Sequence, residues 1–248
     1  MFETRLIRIA LCLALLLALG GCYRAAAPEP GASELASQGK RAFERQKWDK
    51  AINAYQKVKD RYPFSPYALT AEMKIADSLY MQENYQEAIV AYQEFERMHP
   101  RNEAVPYAVY MQGMSNYRMM LSKDREQAPT AEALRNFQRL LADYPDSPLG
   151  EQAKSRVTEC QERLAAHELY VAKWYRRTGH SRSALNRLDY VLANYPGTQS
   201  AGRAQRLLSE VRREVVEAEA RGEQPVELEP APAPLQLGTE REQRRPVP

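Results

Sequence analysis

Four times along the chain an alanine is followed by large apolar residues four and seven positions later, and by a proline twelve positions later. The instances are Ala51, Tyr55, Val58, Pro63; Ala88, Tyr92, Phe95, Pro100; Ala133, Phe137, Leu140, Pro145; and Ala184, Leu188, Val191, Pro196. Offsets of four and seven share one face of a helix. The small alanine lets a neighbouring helix come close, and the larger residues fill the remaining space. The residue before each proline is pushed out of the α region, so each helix should end there. The chain holds 16 prolines in 248 residues. Pro28 and Pro30 fall near the N-terminus, and six more fall beyond residue 224. The other eight punctuate residues 33–220, at the stops and restarts of helical patterns.

The motif resembles the second helix of the tetratricopeptide repeat, a helical pair of about 34 residues. First-helix signals agree in part: Gly39 lies twelve residues before Ala51, between Leu35 and Ala42. The usual Trp-x-x-Leu-Gly is missing, and the closing prolines are 37, 45 and 51 residues apart, so the repeats are divergent and lengthened. The expected fold is all-α, an α-α superhelix of about five such repeats. Helices are predicted over 33–46, 48–61, 66–81, 84–98, 103–121, 130–143, 148–177, 181–194 and 198–219. Ser147 and Pro148 suit the cap and first turn of the seventh. That helix either runs unbroken or breaks near Ala165-Ala166-His167. The ninth reads as a cap on the stack. Beyond Arg221, a Pro-, Glu- and Arg-rich composition predicts a disordered tail over 221–248.

Residues 1–21 read as a secretory signal. Arg5 and Arg8 precede an apolar run, Leu11 to Leu19, that is too short to span a membrane. Leu19-Gly20-Gly21-Cys22 resembles the bacterial lipobox, which implies lipid on the Cys22 thiol. Tyr23 rather than Asp at the next position implies sorting to the periplasmic face of the outer membrane. Residues 22–32 are then a lipidated N-terminus and linker, and the fold proper occupies 33–220. With Cys12 in the signal and Cys22 lipidated, Cys160 is the one thiol left in the fold, on the apolar side of a helix with Val157 and Leu164. A buried packing role is expected for it.

Residue patterns for chemistry are missing. His99, His167 and His180 have no metal-ligand spacing with one another or with cysteine. His99 stands where the other repeats have tyrosine before proline, which marks it as a turn residue. There is no phosphate-binding glycine loop and no nucleophile elbow. The reading is a non-enzymatic protein that needs no cofactor or metal. A net charge of +3 does not suggest nucleic acid, and the periplasm offers none. Arg176, Arg177, Arg182, Arg187, Arg203, Arg206, Arg212 and Arg213 concentrate in the C-terminal third, as a solubilising surface or a protein-docking one. Tyr62-Pro63-Phe64-Ser65-Pro66-Tyr67 puts three aromatics and two prolines at one inter-repeat junction. It serves either as a staple between repeats or as a rigid surface for an extended peptide.

Asp60-Arg61-Tyr62-Pro63-Phe64-Ser65-Pro66-Tyr67-Ala68 closely resembles the first-repeat signature of the BamD family, lipoproteins of the β-barrel assembly machine. Tyr107 to Gly113, Lys123 to Gln127 and Ala184 to Leu188 match it further, and the likeness spans roughly residues 22–215. The resemblance implies five tetratricopeptide repeats and a scaffold that supports folding of outer-membrane β-barrels. Its N-terminal repeats would meet unfolded barrel proteins, with Tyr62, Phe64 and Tyr67 near that groove. Its C-terminal repeats would hold a POTRA domain of BamA, and Arg187 matches a family arginine that meets an acidic residue there. Other Bam lipoproteins are further candidate partners, although the short 117–130 connection departs from relatives with a longer insertion. The tail has no counterpart in the family. The alternative is a different periplasmic repeat lipoprotein, one that regulates peptidoglycan synthesis or envelope constriction.

Overall fold

A computed structural model describes residues 29–222. The signal, Cys22, most of the linker and the tail beyond Gly222 lie outside the described residues. Every regular element among the described residues is an α-helix. They are α1 (Ala32–Glu44), α2 (Trp48–Arg61), α3 (Ala68–Met81), α4 (Tyr85–Met98), α5 (Val105–Arg118), α6 (Ala128–Asp143), α7 (Gly150–Arg177), α8 (Ser181–Asn194) and α9 (Gln199–Ala220). Each packs on the next in chain order, and α7 also reaches α9. This is an α-α superhelix of four tetratricopeptide-like pairs, with α9 opening a fifth unit. No helix among the described residues is long and apolar enough to cross a membrane.

The recurring motif explains the packing. Ala51, Ala88, Ala133 and Ala184 have no exposed surface, and their partners at four and seven positions are buried with them. The first helix of each pair offers a small residue to these side chains. A Cβ on Gly39 would stand 2.8 Å from the Tyr55 ring, and one on Gly113 would stand 2.7 Å from Phe137. Glycine is needed there for close approach rather than for its backbone freedom. Ala76 and Ala172, both fully buried, hold the matching positions in the second and fourth pairs.

The four second helices end alike. Tyr62, His99, Tyr144 and Tyr195 share φ of −133°, −128°, −134° and −133° with ψ of 53°, 52°, 62° and 46°. Each donates its N–H to the carbonyl four residues back. The following proline imposes this departure from helix. Its fixed ring then starts a turn in which Ser65, Asn102, Ser147 and Thr198 donate back to those same four residues. That shared turn corrects two expected starts. Helix α7 begins at Gly150 rather than Pro148, and Ser147 Oγ accepts from Leu149 N at 3.3 Å inside the turn. Helix α3 likewise begins at Ala68 rather than Pro66. Conversely, α6 starts two residues earlier than expected and carries Pro129 in its first turn, where a missing N–H costs nothing.

Within pairs one, two and four, the helices are joined by tight turns around a left-handed residue: Gln46 (φ 57°), Glu83 (φ 64°) and Gly179 (φ 82°). Lys47, Asn84 and His180 close these turns by donating to Ala42, Leu79 and Tyr175. Only the third turn uses glycine. Gln46→Gly and Glu83→Gly should each stabilise the fold by about 0.5 kcal/mol, because the strain of left-handed backbone exceeds the added chain entropy. Urea midpoints that stay or fall would count against strain at these turns.

The third pair has a longer connection, residues 119–127, fastened by Gln127, whose Nε2 donates to the Ser122 and Arg125 carbonyls. The fourth unit is lengthened inside α7, which runs unbroken through Ala165-Ala166-His167 for 28 residues, about 42 Å. Cys160 is fully buried on its inner side. Burial pushes its thiol up to about 12, so it packs rather than reacts.

Candidate functional site

The junction after α2 separates the two roles expected of it. Tyr62 leans on the small core shared by the first pair and α3, formed by Leu35, Ala51, Tyr55, Val58 and Ala71. Its hydroxyl donates to the Pro30 carbonyl at 3.2 Å, while Arg61 pairs with Glu29 at 3.0 Å. Tyr62 is therefore the staple. Phe64, two residues on, is 100% exposed, with Tyr67 at 39% and Leu69 at 40% beside it in sequence. Pro63 and Pro66 stiffen the segment, so these apolar side chains stand on a rigid corner. A fully exposed phenylalanine contributes nothing to the core, and clustered exposed apolar residues mark interaction surfaces. Leu69 and the pinning of Glu29 and Pro30 were not legible from sequence.

A second feature leaves almost no trace in the sequence. Helices α4, α5 and α6 enclose a polar cleft of about 400 Å³ lined by Gln86, Gln93, Glu96, Gln112, Asn116 and Arg139, among others. Arg139 forks onto the Glu96 carboxylate and reaches Gln112 Oε1 at 3.2 Å, and Gln112 Nε2 donates to Glu96 Oε2 at 2.9 Å. The network fixes the cleft's floor. Its amide side chains both donate and accept, which suits the main chain of a peptide. The one sequence signal was Gln86 and Gln93, seven residues apart on α4.

Other polar groups hold the stack together. Buried Asp77 accepts from the Tyr92 and Tyr107 hydroxyls at 2.8 and 2.9 Å, and from Lys74 at 2.8 Å. Burial, reinforced by the Asp77 charge, pushes both tyrosines well above their ordinary range. They are hydrogen-bond donors, not acids. His99 faces Glu72 Oε2 at 2.8 Å from its turn, in keeping with a structural residue.

Arg187 lies in the interface of α8 with α7, only 8% exposed, with Nη1 2.9 Å from Glu168 Oε2. The acidic residue it meets in the structure belongs to its own chain. The other basic residues of this region divide. Arg176 binds Glu210 and Glu214, Arg182 lies 3.8 Å from Glu219, and Arg212 lies 3.2 Å from Asp189. Lys173 and Arg177 are exposed and form no ion pair among the described residues.

A family model described as YfiO, outer membrane lipoprotein, matches residues 28–225. The outer membrane protein assembly factor BamD of Vibrio cholerae is 27% identical over 184 residues, covering 70% of this chain and 76% of that protein. BamD of Pasteurella multocida is 28% identical over 187 residues, covering 71% and 72%. Among solved structures, the MamA protein aligns with a TM-score of 0.40 at 18% identity, over 79% of this chain and 98% of that one.

Proposed function

The chain belongs to the YfiO family of outer membrane lipoproteins, and from that premise we propose that it is an outer membrane protein assembly factor. In this reading it is a non-enzymatic subunit of the β-barrel assembly machinery. Lipid on Cys22 holds it at the periplasmic face of the outer membrane. Its N-terminal repeats receive unfolded barrel proteins, and its C-terminal repeats bind a POTRA domain of BamA. The observation that carries it is Phe64, wholly exposed on a corner stiffened by two prolines and stapled by Tyr62. An unfolded barrel strand presents apolar side chains at every second position. A preset apolar corner with Phe64 and Tyr67 meets such a strand at little ordering cost. Arg187 enters as the residue that keeps Glu168 neutralised beneath the C-terminal docking surface.

Phe64→Ala should cut photocrosslinking to the C-terminal strand of a barrel substrate severalfold while leaving thermal stability unchanged, since the side chain packs on nothing. Equal crosslinking would remove Phe64 from the substrate site.

A further inference from the structure

The second half of α7 presents an outward face of unusual composition. Arg163, Tyr170, Trp174 and Arg177 lie at offsets of 7, 11 and 14 residues along one side of the helix, with Lys173 flanking them. All five are exposed, Trp174 by 44%. The three cations form no ion pair among the described residues. Between Arg163 and Arg177 the only acidic residue is Glu168, and it is buried against Arg187 on the opposite side of the helix. The face therefore contributes positive charge over 14 residues, about 21 Å of helix. The carboxylates bordering it, Glu214 beside Lys173 and Arg177, and Glu159 and Glu162 beside Arg163, are engaged by Arg176, Arg156 and Ser200 instead. Its aromatics are half-covered rather than projecting, and Trp174 stacks edge-on with Tyr175 at 5.1 Å. Tryptophan, tyrosine and arginine on a rigid element are the residue types that anchor protein interfaces.

We propose that this face of α7 docks an acidic protein surface that also lays an apolar side chain against Trp174. The assignment rests on the reading that the C-terminal repeats hold a protein partner, and it locates the contact on α7 rather than on Arg187 itself. The cations steer the partner and pair with its carboxylates, while the aromatics supply the desolvated centre. Half-covered rings on a flat helical face suit a protein better than a lipid interface, where anchoring side chains project into the membrane.

The test uses the full chain and, as probe, the soluble POTRA domains of its cognate BamA on a sensor surface. Trp174→Ala should weaken binding by about 30-fold or more, the threshold of an interface hot spot. Lys173→Glu/Arg177→Glu should weaken it at least as much, and wild-type affinity should fall as salt rises. Helicity should not change, and the thermal midpoint should stay well above the assay temperature. Arg101→Glu, an exposed charge reversal in the N-terminal half, should bind as wild type. Unchanged affinity in both α7 variants, with wild type binding, would overturn the α7 site and leave the partner reading standing. Equal loss in Arg101→Glu would reduce the effect to net charge and overturn it too. A chain whose α7 variants lose only their adsorption to phosphatidylglycerol vesicles would assign the face to lipid instead. No binding by wild type would sink the partner reading, and the inference with it.

Discussion

Arg187→Ala is expected to destabilise the fold by roughly 3–5 kcal/mol, the usual cost of leaving one member of a buried ion pair without the other. Glu168 is 6% exposed and meets the guanidinium at 2.9 Å across the α7–α8 interface. Without Arg187 the Glu168 carboxylate is left unpaired in a poorly solvating site. Arg187→Glu should be worse, since it brings a second carboxylate to the first. The double replacement Arg187→Met/Glu168→Leu should recover most of the loss, because two apolar side chains of similar volume need no pairing. Urea denaturation of the four proteins measures this. A single variant as stable as wild type would mean that Glu168 is solvated and the pair structurally idle. The result also governs how binding data are interpreted: loss of a partner in Arg187→Glu speaks of direct contact only if the C-terminal repeats remain folded.

Phe137→Ala should cost a similar amount, about 3–5 kcal/mol for an aromatic ring removed from a core. Phe137 has no exposed surface and fills the space left by Gly113 on the facing helix, with Tyr110 at 5.6 Å between ring centres. The facing position cannot close the void, because Gly113 has no side chain to offer. The site lies in the middle of the stack, where each unit is stabilised mainly by its neighbours. Beyond a lower midpoint, the variant should therefore lose cooperativity, with the halves unfolding in separate steps. Circular dichroism and tryptophan fluorescence report on this together, since Trp48 sits at one end and Trp174 at the other. Coincident curves would show that coupling runs around Phe137 rather than through it.

Legibility of the fold followed locality. The alanine, apolar and proline offsets encode both which face is buried and where the backbone must leave the helix, so most ends fell within two or three residues. Gln46 and Glu83 in left-handed turns were not legible, because nothing in their chemistry asks for that conformation and the pattern on either side imposes it. The continuity of α7 was open because Ala165-Ala166-His167 suits a helix and an antiparallel turn alike, and its contacts to α5, α8 and α9 decide. At the candidate site the exposed aromatics could be named but not sorted. Tyr62 differs from Phe64 through its packing on the core cluster and its bond to Pro30, 32 residues upstream. Arg187 is a surface residue by type, and its burial depends on a carboxylate 19 residues earlier. The polar cleft draws its lining from three helices, so no single stretch of sequence displays it.

The fastening of Glu29 to Arg61 and of Pro30 to Tyr62 has a mechanical meaning. The chain enters the fold not at the free end of α1 but clipped to the corner that closes the first pair. A pull from upstream of Glu29 would be borne first by Arg61 and Tyr62, two residues from Phe64, before it strained any helix. A tether upstream of Glu29 would therefore tug on the same corner that carries Phe64, so that load and any cargo held there would share one point of attachment.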